Sequence, residues 1–482
     1  MDDLLSGLLD LSRQSREPLT RELANHLRSL IAGRRLRPGQ RLPSSRTMAR
    51  SLEVSRNTVT LAIEQLAAEG YLSVARGKRP AVAESLSLVT AKPVREAKSP
   101  SPKLKMSRLK MSSWARSLPH TNWPPVYPER PRAFQPGLAD EREFPHEIWA
   151  RCLRRTASHA LRQRDRGPNE ARLQQALLGH VTEHRGIRAK PEQVIVLPTA
   201  QSAIALIASV MIEAGDIAWI ESPGYGGALA ALRAANADVI GMPIDADGLK
   251  INGKRKKPRL IFVTPSHQYP SGGLMPIGRR LELLQFASRN GAVIVEDDYD
   301  GEFHYDGRPV AALAALQPDD ATIYLGTFAK AMFADIRAGY LIVPERLAPT
   351  FALAQRHLGL LVAVALQVAL ADFISEGAYR SHVRKMTRLY RSRRDRLVAA
   401  LTAETKLAVD VPAGGMQLLA RCKPSIDDAA LSRDLRKSGV VARPLSEMLY
   451  HRSRERGLFL GFAAWNHAEI EAGARVIGRQ MR

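Results

Sequence analysis

Cysteine is nearly absent from this sequence, which has only Cys152 and Cys422 among 482 residues. Two cysteines cannot form the disulfide framework of a small secreted protein, so a reducing cytosol is the simpler setting. The residues after Met1 are acidic, whereas a secretory signal begins with basic residues. Long apolar runs are also lacking, because residues 358–373, the longest, are interrupted by Gln367 and fall short of the roughly 18 residues of a spanning helix. We expect a cytoplasmic protein without membrane insertion, and a buried helix at residues 358–373.

Acidic residues are scarce relative to basic ones. The chain has 71 Lys and Arg against 48 Asp and Glu, a formal net charge of +23. A charge of this size makes a polyanion a natural partner, and without membrane insertion nucleic acid is the leading one. Hydrophobic residues make up 45% and charged residues 25%, which is ordinary for a globular protein.

The composition changes near residues 85 and 130, which suggests three parts: residues 11–84, 85–130 and 131–482. The middle part is rich in proline and serine and carries nine basic residues against two acidic ones. Such a segment cannot bury enough apolar surface to offset its ordering entropy, so we interpret it as a linker. It is either a solvated tether with no contacts of its own, which we favour, or a basic strap along DNA phosphates.

The first part has the pattern of two helices around a tight turn, at residues 44–54 and 55–66. Ser55 is a suitable N-cap, and the polar residues that follow it belong at the exposed start of a recognition helix, which reads base edges. A basic turn at 76–79 would form a wing on the DNA backbone. The candidate DNA-binding residues are Arg46, Ser55, Arg56, Asn57, Thr58, Arg76, Lys78 and Arg79. The alternative is a small helical bundle with a solvated basic loop.

Over roughly residues 17–83 this part resembles the winged helix-turn-helix of GntR-type bacterial transcription factors. The resemblance rests on GRRLRPGQRLPSSR at 33–46, SRNTV at 55–59 and EGYL at 69–72. It implies a double-stranded DNA operator as partner. One departure lies in the wing, where Gly77-Lys78-Arg79-Pro80 stands in place of the usual Gly-x-Gly-Thr turn.

In the third part, short apolar runs alternate with helix-length segments. Candidate strands lie at 194–197, 217–220, 260–263, 292–295, 322–325 and 340–343, and candidate helices at 201–213, 226–235 and 277–289. Strands that are apolar on both faces are typical of a sheet covered by helices on both sides. We expect an α/β fold with a mostly parallel sheet, and a smaller lobe from about residue 348 to the C-terminus.

Polar groups follow three of these strands. Lys330 follows the strand at 322–325, and a lysine with a depressed pKa forms Schiff bases. Asp297 follows the strand at 292–295, where a carboxylate can pair with a protonated pyridine nitrogen. Its acidic neighbours also allow a divalent-metal site, which we favour less. Residues 199–201 read as the start of a helix, which is either a phosphate site or an ordinary turn between strand and helix.

From about residue 144 to 461 the chain resembles the fold type I aminotransferases, and best the aminotransferase-like half of MocR-type regulators. The shared motifs are TAQ at 199–201, ESPGY at 221–225, TPSHQYPSG at 264–272, EDDYD at 296–300 and GTFAK at 326–330. The resemblance implies pyridoxal 5'-phosphate as cofactor and a homodimer. Lys330 would form the internal aldimine, Asp297 would pair with the pyridine nitrogen, and Tyr299 would bond the ring hydroxyl. The remaining contacts would come from Tyr225, stacked on the ring, and from Ala200, Gln201, Thr327 and Arg337 at the phosphate.

Two departures from the aminotransferase pattern bear on function. Tyr269 stands where aminotransferases carry an asparagine, so His267 is a candidate for the missing contact. Phe459 stands where many of them carry an arginine that grips the substrate carboxylate, which an apolar ring cannot do. Arg443 and Arg456 are nearby arginines, but the sequence places neither in the site. The loss favours sensing over turnover and weakens the case for an ordinary α-amino acid ligand.

Three hypotheses follow. The first is a DNA-binding transcriptional regulator that binds pyridoxal 5'-phosphate through Lys330 and senses an amino compound or the cofactor itself. The second is an active aminotransferase with an autoregulatory DNA-binding head. The third is a GntR-type regulator whose C-terminal domain has lost the cofactor and only dimerises.

Overall fold

The computed structural model describes residues 18–75, 77–85, 111–121, 123–128, 130, 132–157, 170–253, 255–307, 311–316 and 322–482. Contacts divide the chain into two units, Met1–Leu109 and Lys110–Arg482. Within the described ranges, every helix is too short or too polar to cross a membrane.

The N-terminal unit is a three-helix arrangement followed by a short hairpin. Its elements are α1 (Leu19–Ala32), α2 (Ser45–Ser51), α3 (Arg56–Ala68), β1 (Leu72–Ser73) and β2 (Ala81–Val82). The two strands pair antiparallel. The buried residues of the three helices and the hairpin form one apolar cluster, which includes Leu23, Leu27, Val59, Ile63, Leu66 and Val82. This cluster fixes α3 against α1 and leaves the opposite side of α3 in solvent.

A large sheet forms the centre of the C-terminal unit. Its strands are β3 (Val194–Leu197), β4 (Ile217–Ser222), β5 (Asp238–Asp245), β6 (Gly248–Leu249), β7 (Leu260–Val263), β8 (Val293–Asp297), β9 (Thr322–Thr327) and β10 (Gly339–Ile342). They lie in the order β3-β10-β9-β8-β7-β4-β5-β6. The run from β9 to β5 is parallel, whereas β10 is antiparallel to both of its neighbours. The predicted mostly parallel sheet is confirmed.

Helices cover both faces of this sheet. They are α5 (His146–Thr156), α6 (Ala171–Arg185), α7 (Ala200–Met211), α8 (Gly226–Ala234), α9 (Ile277–Asn290), α10 (Leu313–Leu316), α11 (Ala348–His357) and α12 (Val364–Ser375). The short helix α4 (Ser113–Ser117), which precedes them, buries none of its residues. Strand β3 illustrates the two-sided burial: Val194 and Val196 join one apolar cluster, and Ile195 and Leu197 join another. Alternate residues of a strand point to opposite faces, so a continuous apolar run buries both.

The predicted smaller lobe is a second, antiparallel sheet with its own helices. Strands β11 (Ala408–Asp410), β12 (Gln417–Cys422), β13 (Arg443–Pro444) and β14 (Arg456–Gly461) lie in the order β11-β12-β14-β13. The helices are α13 (Ala378–Glu404), α14 (Asp428–Lys437) and α15 (His467–Gln480).

Residues 358–373 are not one helix, so that part of the prediction is wrong. Helix α11 ends at His357, Gly359 adopts a φ of +64°, and α12 begins only at Val364. The residue that interrupts the apolar run, Gln367, is buried and anchors this junction. Its side-chain amide donates to the carbonyl of Val362 at 2.9 Å and accepts from the backbone N–H of Glu170 at 2.8 Å.

The last part of residues 85–130 contacts other parts of the C-terminal unit, whereas a solvated tether should make no contacts. Helix α4 lies there, and the Trp123 ring meets the Tyr225 ring edge-on with centroids 4.9 Å apart. The Arg443 guanidinium lies 5.9 Å from the centroid of the same indole. Residues 86–110, which hold most of the basic residues of the segment, lie outside the described residues. The interpretation as a contact-free tether therefore does not fit the part that follows them.

Candidate functional site

The carboxyl ends of the parallel strands open into a cavity of about 290 Å³ in the C-terminal unit. Eight of the nine predicted cofactor residues line it: Ala200, Gln201, Tyr225, Asp297, Tyr299, Thr327, Lys330 and Arg337. They come from five places in the chain: the start of α7, the turn before α8, the end of β8, the end of β9 and the turn before β10. They meet because the carboxyl ends of the parallel strands, and the start of the antiparallel β10, lie at one edge of the sheet.

Helix α7 presents its N-terminus to this cavity. Thr199 caps the helix: its hydroxyl accepts from the backbone N–H of Ser202 at 2.9 Å, and the Ser202 hydroxyl accepts from the N–H of Thr199 at 3.0 Å. Ala200 and Gln201 are the first helical residues. The N–H groups of a first turn lack partners within the helix and carry its positive dipole end, so they suit an anion.

Lys330 lies in the turn after β9 and is partly buried. Its Nζ donates to the carbonyl oxygen of Gly137 at 2.7 Å. Burial lowers the pKa of this amine, although the charges of Asp300 and Asp297 oppose the shift. A lowered pKa increases the share of the neutral, nucleophilic amine. Gly137 has a φ of +83°, and a Cβ there would lie only 2.8 Å from Nζ, so this position requires glycine.

Asp297 is the last residue of β8 and is only 4% exposed. Within the described residues, its Oδ1 is buried without a hydrogen-bond donor. Burial first, and then the neighbouring carboxylates Asp298 and Asp300, raise its pKa well above the ordinary value. A buried acceptor without a partner is costly, and a protonated pyridine nitrogen would satisfy it. The residues present therefore fit a pyridine ring in this cavity.

The two acids that flank Asp297 point elsewhere. Glu296 accepts from the backbone N–H groups of Leu313 and Ala314 at 3.0 and 3.1 Å. Asp298 pairs with Arg185 at 2.6 Å. Consecutive strand residues alternate between faces, so the three carboxylates do not converge. Among the described residues no group of three His, Cys, Asp or Glu side chains is arranged to hold a metal ion.

Aromatic rings form one wall of the cavity. Tyr269 meets the rings of Tyr225, Tyr299 and Phe459 edge-on, with centroids 5.6, 5.8 and 4.9 Å apart. Trp123 closes the other side of Tyr225. Such edge-to-face packing holds the rings in place, and it leaves Tyr225 and Tyr299 on the cavity wall.

Arg337 reaches the cavity from a strained backbone position, with φ and ψ both at 48°. This left-handed conformation is unfavourable for a residue with a side chain, and such residues cluster at functional sites. Thr327 ends β9, and its hydroxyl accepts from the backbone N–H of Ala329 at 3.2 Å, which leaves its proton for another acceptor. A guanidinium, a hydroxyl and the start of α7 together provide donors for a phosphate.

His267 does not line the cavity, contrary to the sequence prediction. Its Nδ1 lies 2.9 Å from Oδ1 of the buried Asp300, and a Cβ on Gly414 would lie 2.2 Å from its Nε2. The ring is therefore enclosed behind Asp300 and does not supply a contact from the cavity wall.

Sequence reasoning also missed several residues of the cavity. Trp123 was assigned to a linker, and Gln417 comes from the smaller lobe. Arg443, from the same lobe, is 4% exposed and donates through Nη1 to the Tyr269 hydroxyl at 3.2 Å. No motif marks these positions, since they reach the cavity only through the packing of the lobes.

In the N-terminal unit, the prediction that Ser55 caps a helix is confirmed for α3. The Ser55 hydroxyl accepts from the backbone N–H of Thr58 at 3.0 Å. Arg56 and Asn57 are exposed in the first turn of α3, and Thr58 is half-buried. The other predicted contacts that are described, all exposed, are Arg46, Lys78 and Arg79. Arg76 lies outside the described residues, and Arg41 and Arg50 are exposed arginines that the sequence analysis did not select.

Comparison with known proteins supports both units. Residues 144–477 match the family of class I and II aminotransferases. Residues 19–82 match the gntR family of bacterial regulatory proteins. Among solved structures, the kynurenine aminotransferase of Pyrococcus horikoshii aligns with a TM-score of 0.67 at 24% identity, covering 78% of this chain and 95% of that one. This likeness shows the fold.

Two regulators match nearly the whole chain. It is 38% identical over 474 residues to the probable rhizopine catabolism regulatory protein MocR of Rhizobium meliloti, covering 97% of this chain and 94% of that protein. It is 31% identical over 458 residues to the pyridoxine biosynthesis transcriptional regulator PdxR of Corynebacterium glutamicum, covering 93% and 94%. A gntR-type domain thus precedes an aminotransferase domain here as in these regulators, and the chain belongs to the MocR-type transcriptional regulators of the GntR and class I and II aminotransferase families.

Proposed function

We propose that this protein is a cytoplasmic transcriptional regulator that binds pyridoxal 5'-phosphate through Lys330 and responds to an amino compound or to the cofactor itself. The observation that carries the proposal is that Oδ1 of Asp297 has no hydrogen-bond donor in the described parts of the chain and lies in a cavity that also contains Lys330. A site that keeps a buried carboxylate without a donor is built for a ligand that supplies one.

Each side chain has one task in this scheme. Lys330 would be the point of covalent attachment, favoured by its lowered pKa. Asp297 would hold the proton on the ring nitrogen, and Tyr225 would press on the ring face. Arg337, Thr327 and the start of α7 would hold the phosphate. When bound, the cofactor supplies an electron-withdrawing ring to which primary amines attach reversibly.

A visible absorption spectrum tests the cofactor. Wild-type protein incubated with pyridoxal 5'-phosphate should gain a visible band, and borohydride should then fix the cofactor on Lys330, as peptide mass spectrometry would show. Lys330→Ala should lose both signals. Lys190→Ala is the matched control, because Lys190 is exposed, lies outside the cavity and pairs with the exposed Glu345. A wild-type protein without the band would refute the proposal and support the third hypothesis, a domain that only dimerises.

DNA binding needs a separate test. We propose that Arg56 reads the operator from the exposed start of α3, and that Lys78 and Arg79 contact its backbone. Arg56→Ala should lose about 1–3 kcal/mol of specific binding while the visible band is unchanged. Arg479→Ala removes the same charge from an exposed site on α15 and should bind normally. Normal operator binding by Arg56→Ala would show that α3 is not the reading helix.

The protein is proposed to act as a homodimer, since two DNA-binding units match the two half-sites of an operator. Sedimentation of the cofactor-loaded protein measures this. The name of one relative, a regulator of pyridoxine biosynthesis, supports the cofactor as a signal.

The second candidate function is transamination by the same cavity. The observation in its favour is the lowered pKa of Lys330, because a neutral amine also serves as a proton acceptor. Steady conversion of an amino donor and a keto acid, lost in Lys330→Ala, would establish it. A single stoichiometric spectral change without turnover would instead favour sensing.

A further inference from the structure

The strand pair β13 and β14 places Arg443 beside the position at which the aminotransferase arginine is missing. The Cα atoms of Arg443 and Phe459 are direct partners in this antiparallel pair. Side chains directly opposite each other project from the same face of a sheet, about 5 Å apart. A guanidinium at position 443 therefore leaves the sheet on the same face as one at position 459 would.

Phe459 is buried behind the cavity wall, against Tyr269. It is 1% exposed and packs in a small apolar cluster with Leu419, Leu445 and Met448. Its ring also meets Tyr269 edge-on, with centroids 4.9 Å apart. The phenylalanine therefore fills the space of the lost arginine and holds Tyr269, which in turn accepts the hydrogen bond from Arg443.

Arg443 is a buried cation with few hydrogen-bond acceptors around it. It lines the same cavity as Lys330 and lies against the Trp123 ring. Its Nε is buried without an acceptor among the described residues. Its side-chain hydrogen-bond partner among the described residues is the Tyr269 hydroxyl, a neutral acceptor, and no described carboxylate forms an ion pair with it.

The other buried arginines of the described chain show what a satisfied site looks like. Arg185 pairs with Asp298 at 2.6 Å, and Arg393 pairs with Asp140 at 2.7 Å. The remaining pairs are Arg280 with Glu296 and Arg394 with Asp306. Arg443 alone among these buried arginines lacks a carboxylate. Since burying an unpaired charge is costly, a fixed arginine of this kind in a cavity indicates an anionic ligand group.

We propose that Arg443 binds a carboxylate of the effector, and that the effector is a primary amine that carries a carboxylate. The amine end would lie toward Lys330 and the acid end toward Arg443. The proposal rests on the proposed function, because the amine needs the cofactor on Lys330. It revises the expectation that losing the arginine at position 459 weakens the case for an amino acid ligand.

Matched pairs of ligands test this assignment. Cofactor-loaded protein would be titrated with glycine and methylamine, β-alanine and ethylamine, and 4-aminobutyrate and propylamine, with the visible spectrum as readout. In at least one pair, the acid should half-saturate the wild-type protein at a concentration at least about tenfold below its amine, as expected for a charge-assisted hydrogen bond. Arg443→Met should abolish this preference while keeping the spectrum of the bound cofactor.

The control is Arg456→Met, since Arg456 lies on the neighbouring strand, does not line the cavity, and donates to the backbone carbonyl of Glu455 at 2.8 Å. This variant should keep the preference. The exchange Arg443→Phe with Phe459→Arg should restore it, because the two positions share one face of the sheet. Arg443→Lys, which keeps the charge but loses the planar fork, should retain part of it even if Arg443→Met fails to fold.

The outcomes separate the two proposals. A wild-type protein that binds no pyridoxal 5'-phosphate refutes the proposed function and this inference with it. A loaded protein that shows no preference for any acid, or an Arg443→Met variant that keeps the preference, refutes only the role of Arg443.

Discussion

Replacing Asp297 by asparagine should change stability and cofactor affinity in opposite directions. Without cofactor, the Oδ1 atom of Asp297 has no donor among the described residues, and a buried acceptor in this state costs about 1–3 kcal/mol. Asp297→Asn leaves a buried polar group in place but removes the burial of an ionised one. We therefore expect the cofactor-free variant to be more stable than wild type, by about 1–3 kcal/mol, at pH values above the raised pKa of the carboxyl.

The same change should weaken cofactor binding. Hydrogen bonds to charged groups contribute about 1.5–3 kcal/mol, so the affinity for pyridoxal 5'-phosphate should fall about 10- to 100-fold. Urea unfolding of the cofactor-free protein and a spectral titration with the cofactor measure the two quantities on one preparation.

The gain in stability from Asp297→Asn should depend on pH. Burial raises the pKa of Asp297, so the folded state holds this proton more tightly than the unfolded state does. Below its raised pKa the carboxyl is neutral and lowers the stability of the folded state little. As the pH rises through that value the carboxyl ionises, and the folded state becomes less stable. The advantage of Asp297→Asn should therefore shrink as the pH is lowered.

Asp140→Asn is the matched control, because Asp140 is a buried carboxylate that already has partners. Although burial opposes the shift, hydrogen bonds from Arg142 and Arg393 hold its pKa below the ordinary value. The variant should lose about 1–3 kcal/mol of stability and bind the cofactor normally. If Asp297→Asn destabilised the cofactor-free protein as Asp140→Asn does, or bound the cofactor as wild type does, the reasoning about its unpaired oxygen would be refuted.

Three further predictions concern the same unit. Gly137→Ala should slow attachment of the cofactor at Lys330, because a φ of +83° strains a residue with a side chain and the new Cβ, 2.8 Å from Nζ, would displace the amine; borohydride labelling measures this, and undiminished labelling would contradict it. Trp123→Ala should weaken effector binding by about 0.5–1.5 kcal/mol, because the ring contact with Tyr225 is lost. The spectral titration measures this, and unchanged effector affinity would contradict it. Burial raises the pKa of Glu296 to about 7, so wild-type stability should decline between about pH 4.5 and 7, and Glu296→Gln should remove part of this decline in urea titrations.

The sequence predicted most of the sheet because its strands are buried on both faces and read as unbroken apolar runs. Strand β5 was missed for the opposite reason. It lies near the end of the sheet, its residues are partly exposed at both ends, and it contains Pro243. The side chains at the carboxyl ends of the strands, such as Asp297 and Lys330, were predictable together because parallel strands bring them to one edge.

The contributions of other parts of the chain were not predictable in this way. Arg443 reaches the cavity because of the register between β13 and β14, which no local pattern encodes. Trp123 lies in a proline-rich segment whose composition is typical of a linker. His267 follows the right strand, but Asp300 binds its imidazole behind the cavity wall. Each case depends on a tertiary contact, and sequence spacing does not determine such contacts.

The alternation of side chains at the end of β8 has a consequence for how this gene can change. Glu296, Asp297 and Asp298 are all acidic, so a shift of the chain by one position would still place acidic residues at the end of the strand. Yet a one-residue insertion or deletion within β8 would exchange their surroundings, turning the cavity-facing carboxylate toward Arg185 or toward the N–H groups of Leu313 and Ala314. Length changes within this strand should accordingly be rarer among functional variants than length changes in the loop that precedes it.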